Sequence, residues 1–119
     1  MGAQGTALLD FGAFPGKSDA SVAVTGQAGI LAGSLVEAWL FPADTADHKA
    51  DEHMVEPIRV TAGSIIAGTG FTIYGVNVNP LVEHELFQPW PQYPLKTVLV
   101  ETGRGTRIWG RWTVGWVWN

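Results

Sequence analysis

Apolar residues alternate with polar or small ones over short stretches of this chain, and the alternation is cleanest at its end. In "RWTVGWVWN", Trp112, Val114, Trp116 and Trp118 fall on one face of a strand and Thr113, Gly115 and Val117 on the other, because successive strand side chains point to opposite sides. Similar short runs predict strands near Ala7–Phe11, Ser21–Thr25, Leu35–Phe41, Pro57–Thr61, Phe71–Val76, Lys96–Glu101 and Thr106–Trp109, besides Arg111–Trp118. No window longer than about ten residues holds a helical period. The expected fold is all-β: one domain over residues 1–119, a β-sandwich or jelly roll of about eight short strands separated by Gly/Pro turns.

Two segments depart from this rhythm. "TGRGT", between Val100 and Ile108, has the composition of a hairpin turn. "VNVNPLVEHELFQPWPQYP", Val76 to Pro94, has four prolines and no sustained period, which predicts an irregular excursion at about residues 77–94. Within it, "FQPWPQYP" is a candidate contact surface. Its prolines reduce the entropy lost on docking, and Phe87, Trp90 and Tyr93 are anchors of the type that dominate interfaces. The tryptophans of the last strand must be buried, since each covers about 150–250 Å². The domain's own core is the first assignment; a subunit interface or a sugar is the alternative, which keeps Trp116 and Trp118 among the interaction candidates.

Composition narrows the function classes. Hydrophobic residues make up 46% of the chain, an ordinary share, but charged residues only 15%, against about 25% in a typical domain. So little charge on a small domain points to surface covered by other chains. A net charge of −4 opposes binding to nucleic acid, whose phosphates demand a basic face. The chain has no cysteine, hence no disulfide, thiol nucleophile or Cys-type zinc site. Its longest apolar stretch, Gly29 to Pro42, is interrupted by Ser34 and Glu37 and is short of the ~20 residues that span a bilayer, so a soluble protein is expected.

Candidate chemistry is sparse. "GAFPGKS", Gly12 to Ser18, resembles a phosphate-binding loop but is one residue short, contains Pro15, and leads into the strand-like "ASVAVT" rather than a helix. It is expected to be a turn between strands with Lys17, Ser18 and Asp19 at a solvated tip. "ADTADHKADEHMVE" gathers Asp44, Asp47, His48, Asp51, Glu52, His53 and Glu56, ligand types for zinc or manganese. His48, His53 and Asp51 are therefore metal candidates. Their spacing fits neither a helical i, i+4 pair nor a calcium loop, and a solvated loop with a carboxylate–His hydrogen bond accounts for the same residues. Glu83-His84-Glu85 cannot by itself span a glycosidase cleft, because neighbouring side chains diverge.

The stretches "LLDFGAFPGKSDASVAVTGQAGI", "TADHKADEHMVEPIRVTAGSIIAGTGFTIYG" and "GRWTVGWVWN" together resemble small β-rich virion proteins encoded among the structural genes of tailed bacteriophages. The resemblance covers roughly residues 6–76 and 108–119; the segment 77–107 is longer than in that pattern. It implies a non-enzymatic structural protein that decorates the capsid or belongs to the neck, tail or baseplate, with copies of itself and other virion proteins as partners. The expected location is the virion, assembled in the bacterial host cytoplasm, with no cofactor, nucleic acid or membrane. A carbohydrate-binding β-sandwich with tryptophans stacked on a glycan is the alternative reading. A small metal-dependent enzyme using the His48/His53 loop is the third.

Overall fold

In the computed structural model of the protein, residues 2–78 and 106–119 are described in full and residues 82–84 and 97–99 by their backbone. The fold is all-β with one short helix. Its strands and helix are β1 (Ala3–Asp10), β2 (Asp19–Val24), β3 (Val36–Leu40), α1 (Ala50–Val55), β4 (Ile58–Ile66), β5 (Gly70–Asn77), β6 (Val82–His84), β7 (Thr97–Leu99) and β8 (Arg111–Trp118).

Two antiparallel sheets of three strands organise the chain, in the orders β1-β8-β3 and β2-β5-β4; β6 pairs separately with β7. The terminal strand is the centre of its sheet, flanked by β1 (Ala7 opposite Val114) and β3 (Ala38 opposite Trp116). That position explains its tryptophans. Trp112, Val114, Trp116 and Trp118 join Leu9, Phe11, Val24, Ile30, Phe71, Ile73 and Ile108 in a single core fed by both sheets. The Phe71 ring meets Trp116 edge-on with centroids 5.5 Å apart, an arrangement the ring quadrupoles favour. Gly75 permits a second close contact, since a Cβ there would lie 2.5 Å from Cδ1 of Leu9.

Several expectations are corrected. The predicted strand at Thr106–Trp109 is a single bridge between Ile108 and Lys17, with reciprocal N–H to carbonyl bonds of 2.9 and 3.0 Å. Consequently Lys17 and Ser18 are not the tip of the turn: the Lys17 backbone is paired and Ser18 is buried. The tip is Ala13–Pro15, closed by the Gly16 N–H on the Ala13 carbonyl (2.7 Å), with a cis Phe14–Pro15 peptide. β4 runs five residues beyond the predicted Thr61, through a bulge between Gly63 and Ile66 where Ser64 takes a left-handed φ of 52°. The expected excursion contains β6, while Phe87, Trp90 and Tyr93 lie outside the described residues, as does most of the predicted "TGRGT" hairpin.

Candidate functional site

The candidate chemistry sits where β3 leaves its sheet. β3 ends at Leu40, opposite Val114, and Phe41 still donates its N–H to the Thr113 carbonyl (2.9 Å). Beyond this point no strand among the described residues pairs with the same edge of β8. A bare edge of this kind leaves ladder donors and acceptors unmet and invites wrong pairing.

The segment between β3 and β4 supplies side chains in place of a strand. Thr113 donates its N–H to Nε2 of His53 (2.9 Å). Arg111 donates its N–H to Oδ2 of Asp47 (2.8 Å), and its carbonyl accepts the Thr45 hydroxyl (2.9 Å). The Trp109 carbonyl accepts from Nε2 of His48 (2.6 Å) and from the Trp112 indole (3.1 Å). Thr45, Asp47, His48 and His53 thus extend the ladder past the end of β3.

Local structure fixes these side chains. The Thr45 hydroxyl accepts the N–H groups of Asp47 (3.1 Å) and His48 (2.9 Å), which shapes the turn before the helix. α1 is only six residues long and depends on its caps: Asp44 accepts the Ala50 N–H (2.8 Å), and Glu52 reaches back to the Lys49 N–H. Glu52 also faces Nδ1 of His48 at 3.1 Å. The His48 ring, 5% exposed, lies flat on Trp112 with centroids 3.8 Å apart.

The expected solvated loop is therefore a short helix with two buried histidines. A carboxylate–His bond is present, between Glu52 and His48, but both rings are turned inward by the demands of the sheet edge. His53, 3% exposed, accepts from Thr113 at Nε2, so Nδ1 carries the ring hydrogen and donates it to the Lys49 carbonyl (2.9 Å). His48 faces an oxygen acceptor at each nitrogen. Neither ring presents an uncommitted nitrogen to a metal or a substrate. Asp51, the third metal candidate, is exposed on α1, and among the described residues no three His, Asp or Glu side chains converge as metal ligands would.

Electrostatics follow the same contacts. The Arg111 guanidinium, 2.9 Å away, and the Arg111 N–H hold the Asp47 carboxyl below its ordinary range. The Lys49 N–H, and after it His48, lower that of Glu52. Asp47 in turn raises Arg111. These are stabilised ions in structural bonds.

The remaining candidates are placed as follows. Trp116 and Trp118 are buried in the core, Trp118 with its indole N–H donated to Gln27 (2.8 Å), so neither offers a surface for a partner or a sugar. Glu83 and His84 belong to β6, described only by its backbone, and Glu85 lies outside the described residues.

The feature missed in the sequence is the outer face of the β1-β8-β3 sheet. By register, Leu8, Thr113 and Phe41 form one row and Thr6, Gly115 and Trp39 the next. Trp39 packs so closely over Gly115 that a Cβ there would meet its indole at 2.7 Å. Leu8, Trp39 and Phe41 nonetheless remain 45, 43 and 42% exposed. A glycine amid alternating tryptophans was the available signal, since glycine inside a strand marks close approach of another group. Among the described residues no helix is long and apolar enough to cross a membrane. No family model matches the chain, and no curated protein or solved structure is significantly similar to it.

Proposed function

We propose that this chain is a non-enzymatic structural subunit of a tailed-phage virion, a two-sheet β-sandwich that docks onto copies of itself and onto other virion proteins. The observation that carries the reading is the apolar outer face formed by Leu8, Trp39 and Phe41 on one sheet. Large apolar side chains in adjacent rows of a rigid sheet are costly in water and favourable in a subunit contact. The 15% charge content supports the same reading, as does the resemblance of residues 6–76 and 108–119 to virion proteins. The shared core, with Phe71 against Trp116 and Leu9 over Gly75, supports a sandwich. The non-enzymatic part is supported by His48 and His53, whose nitrogens are committed to fixed partners.

A specific interface buries about 800 Å² per partner, more than these rows alone provide. Exposed apolar side chains of neighbouring turns, such as Phe14 and Leu35, would extend it. The test is mass spectrometry of purified particles of the encoding phage, with co-sedimentation of added protein. The expected result is a fixed number of copies per particle and saturable attachment weakened by Phe41→Glu. Absence of the chain from particles, with no attachment of added protein, would overturn the reading.

A further inference from the structure

The outer face of the β2-β5-β4 sheet has a different character. By register its outward side chains form a row of Ser21, Tyr74 and Thr61 and a second of Asp19, Val76 and Arg59. Strands lie about 4.8 Å apart and successive rows about 7 Å apart, giving a platform of roughly 10 by 7 Å. These residues line an open groove of about 560 Å³ whose rim includes Lys17 and Asp10. That volume falls within the ~300–1,000 Å³ of small-molecule sites.

The lining specifies the ligand. Tyr74 is half-exposed, yet its hydroxyl is bonded to Ser64 at the left-handed bulge of β4. An exposed ring tethered to the neighbouring strand loses little further freedom when a ligand stacks on it. Beside it a Cβ on Gly63 would meet nothing within 4 Å, so the sheet surface there is open to a close approach. Ser21, Thr61 and Arg59 have no side-chain partner among the described residues and are available as donors and acceptors. Lys17 and Arg59 are balanced by Asp10 and Asp19, so the groove lacks the net positive charge a polyanion requires. One ordered aromatic ring, neutral hydroxyls and balanced charges suit a ligand with an apolar C–H face and a rim of hydroxyls.

We propose that this groove binds a neutral saccharide, with a pyranose face on the Tyr74 ring and its hydroxyls bonded by Arg59, Ser21 and Thr61. The inference does not rest on the assembly reading: it uses the other sheet and shares no residue with the apolar patch. It also differs from stacking on the terminal tryptophans, which are buried.

The experiment is titration of the full chain, followed by amide NMR, with the neutral disaccharides cellobiose, maltose and lactose, and with inorganic phosphate as the anionic control. Saturable shifts at Ser21, Thr61 and Tyr74 are expected with at least one disaccharide and not with phosphate. Tyr74→Ala and Arg59→Ala should each weaken binding about tenfold or more. Circular dichroism confirms that each variant is folded. The proposal is overturned if no disaccharide gives saturable shifts up to about 50 mM, or if phosphate shifts the same amides. It is equally overturned if binding survives both groove variants.

Discussion

If His53 substitutes for the missing end of β3, removing its acceptor while keeping an aromatic ring in its place should destabilise the fold by a definite amount. His53→Phe does this. The ring stays against Trp112, where the centroids are 4.9 Å apart, but the buried Thr113 N–H loses its partner at 2.9 Å. An unpaired buried donor costs about 1–3 kcal/mol. Lys49, whose carbonyl loses the other bond, is exposed and can turn to water, so about 2 kcal/mol is expected in all. His53→Ala adds the loss of packing, for a total of about 3–4 kcal/mol. His53→Gln, which can still accept, should fall below both. Urea unfolding followed by tryptophan fluorescence reads these differences: with a slope of about 1.5 kcal/mol/M, His53→Phe moves the midpoint by roughly 1.3 M. Amide exchange at Thr113 should accelerate in parallel. A His53→Phe midpoint within about 0.5 kcal/mol of the parent, with Thr113 exchange unchanged, would refute the ladder role.

The other predictions concern neighbouring parts of the molecule. Asp47 and Glu52 are held below their ordinary carboxyl values in the folded state. Their contribution is therefore complete above the unfolded values, near about 4, and is lost as pH falls through the lower folded values; Asp47→Asn should flatten the urea midpoint's dependence on pH in that acid range. Because both histidines are committed to protein partners, EDTA and added zinc should leave the melting temperature unchanged, and a stoichiometric metal whose removal lowers it would contradict the structural role. Trp116→Ala should cost about 3–5 kcal/mol by denaturation, since the ring fills the space between the sheets against Phe71; a normally stable variant would contradict the core assignment.

How far the sequence disclosed this structure depended on whether each feature was encoded locally. β8 was legible from end to end because its alternation is strict and its tryptophans fall at every second place but one. β5 and β2 were legible within two residues for the same reason. α1 was not, because six residues carry no helical period and its stability comes from Asp44 and Glu52 as caps. A carboxylate–His hydrogen bond in this segment was expected, and His48 with Glu52 supplies it, but the burial of the histidines was not. That burial is set by where β3 stops relative to β8, sixty residues away along the chain from His53 to Thr113. The groove on the other sheet was equally hidden, since it depends on the register that places Ser21, Tyr74 and Thr61 side by side.

Sedimentation velocity of the full chain beside Leu8→Glu and Phe41→Glu, over concentrations up to about 100 μM, tests the assembly claim most directly. Both substitutions fall on half-exposed side chains in one row of the apolar face, so the fold should tolerate them. The parent chain should associate in a concentration-dependent and saturable way, and either acidic substitution should hold it as a monomer with an unchanged circular dichroism spectrum. A parent chain that stays monomeric throughout, or variants that associate as strongly as the parent, would contradict the claim that this face is the docking surface.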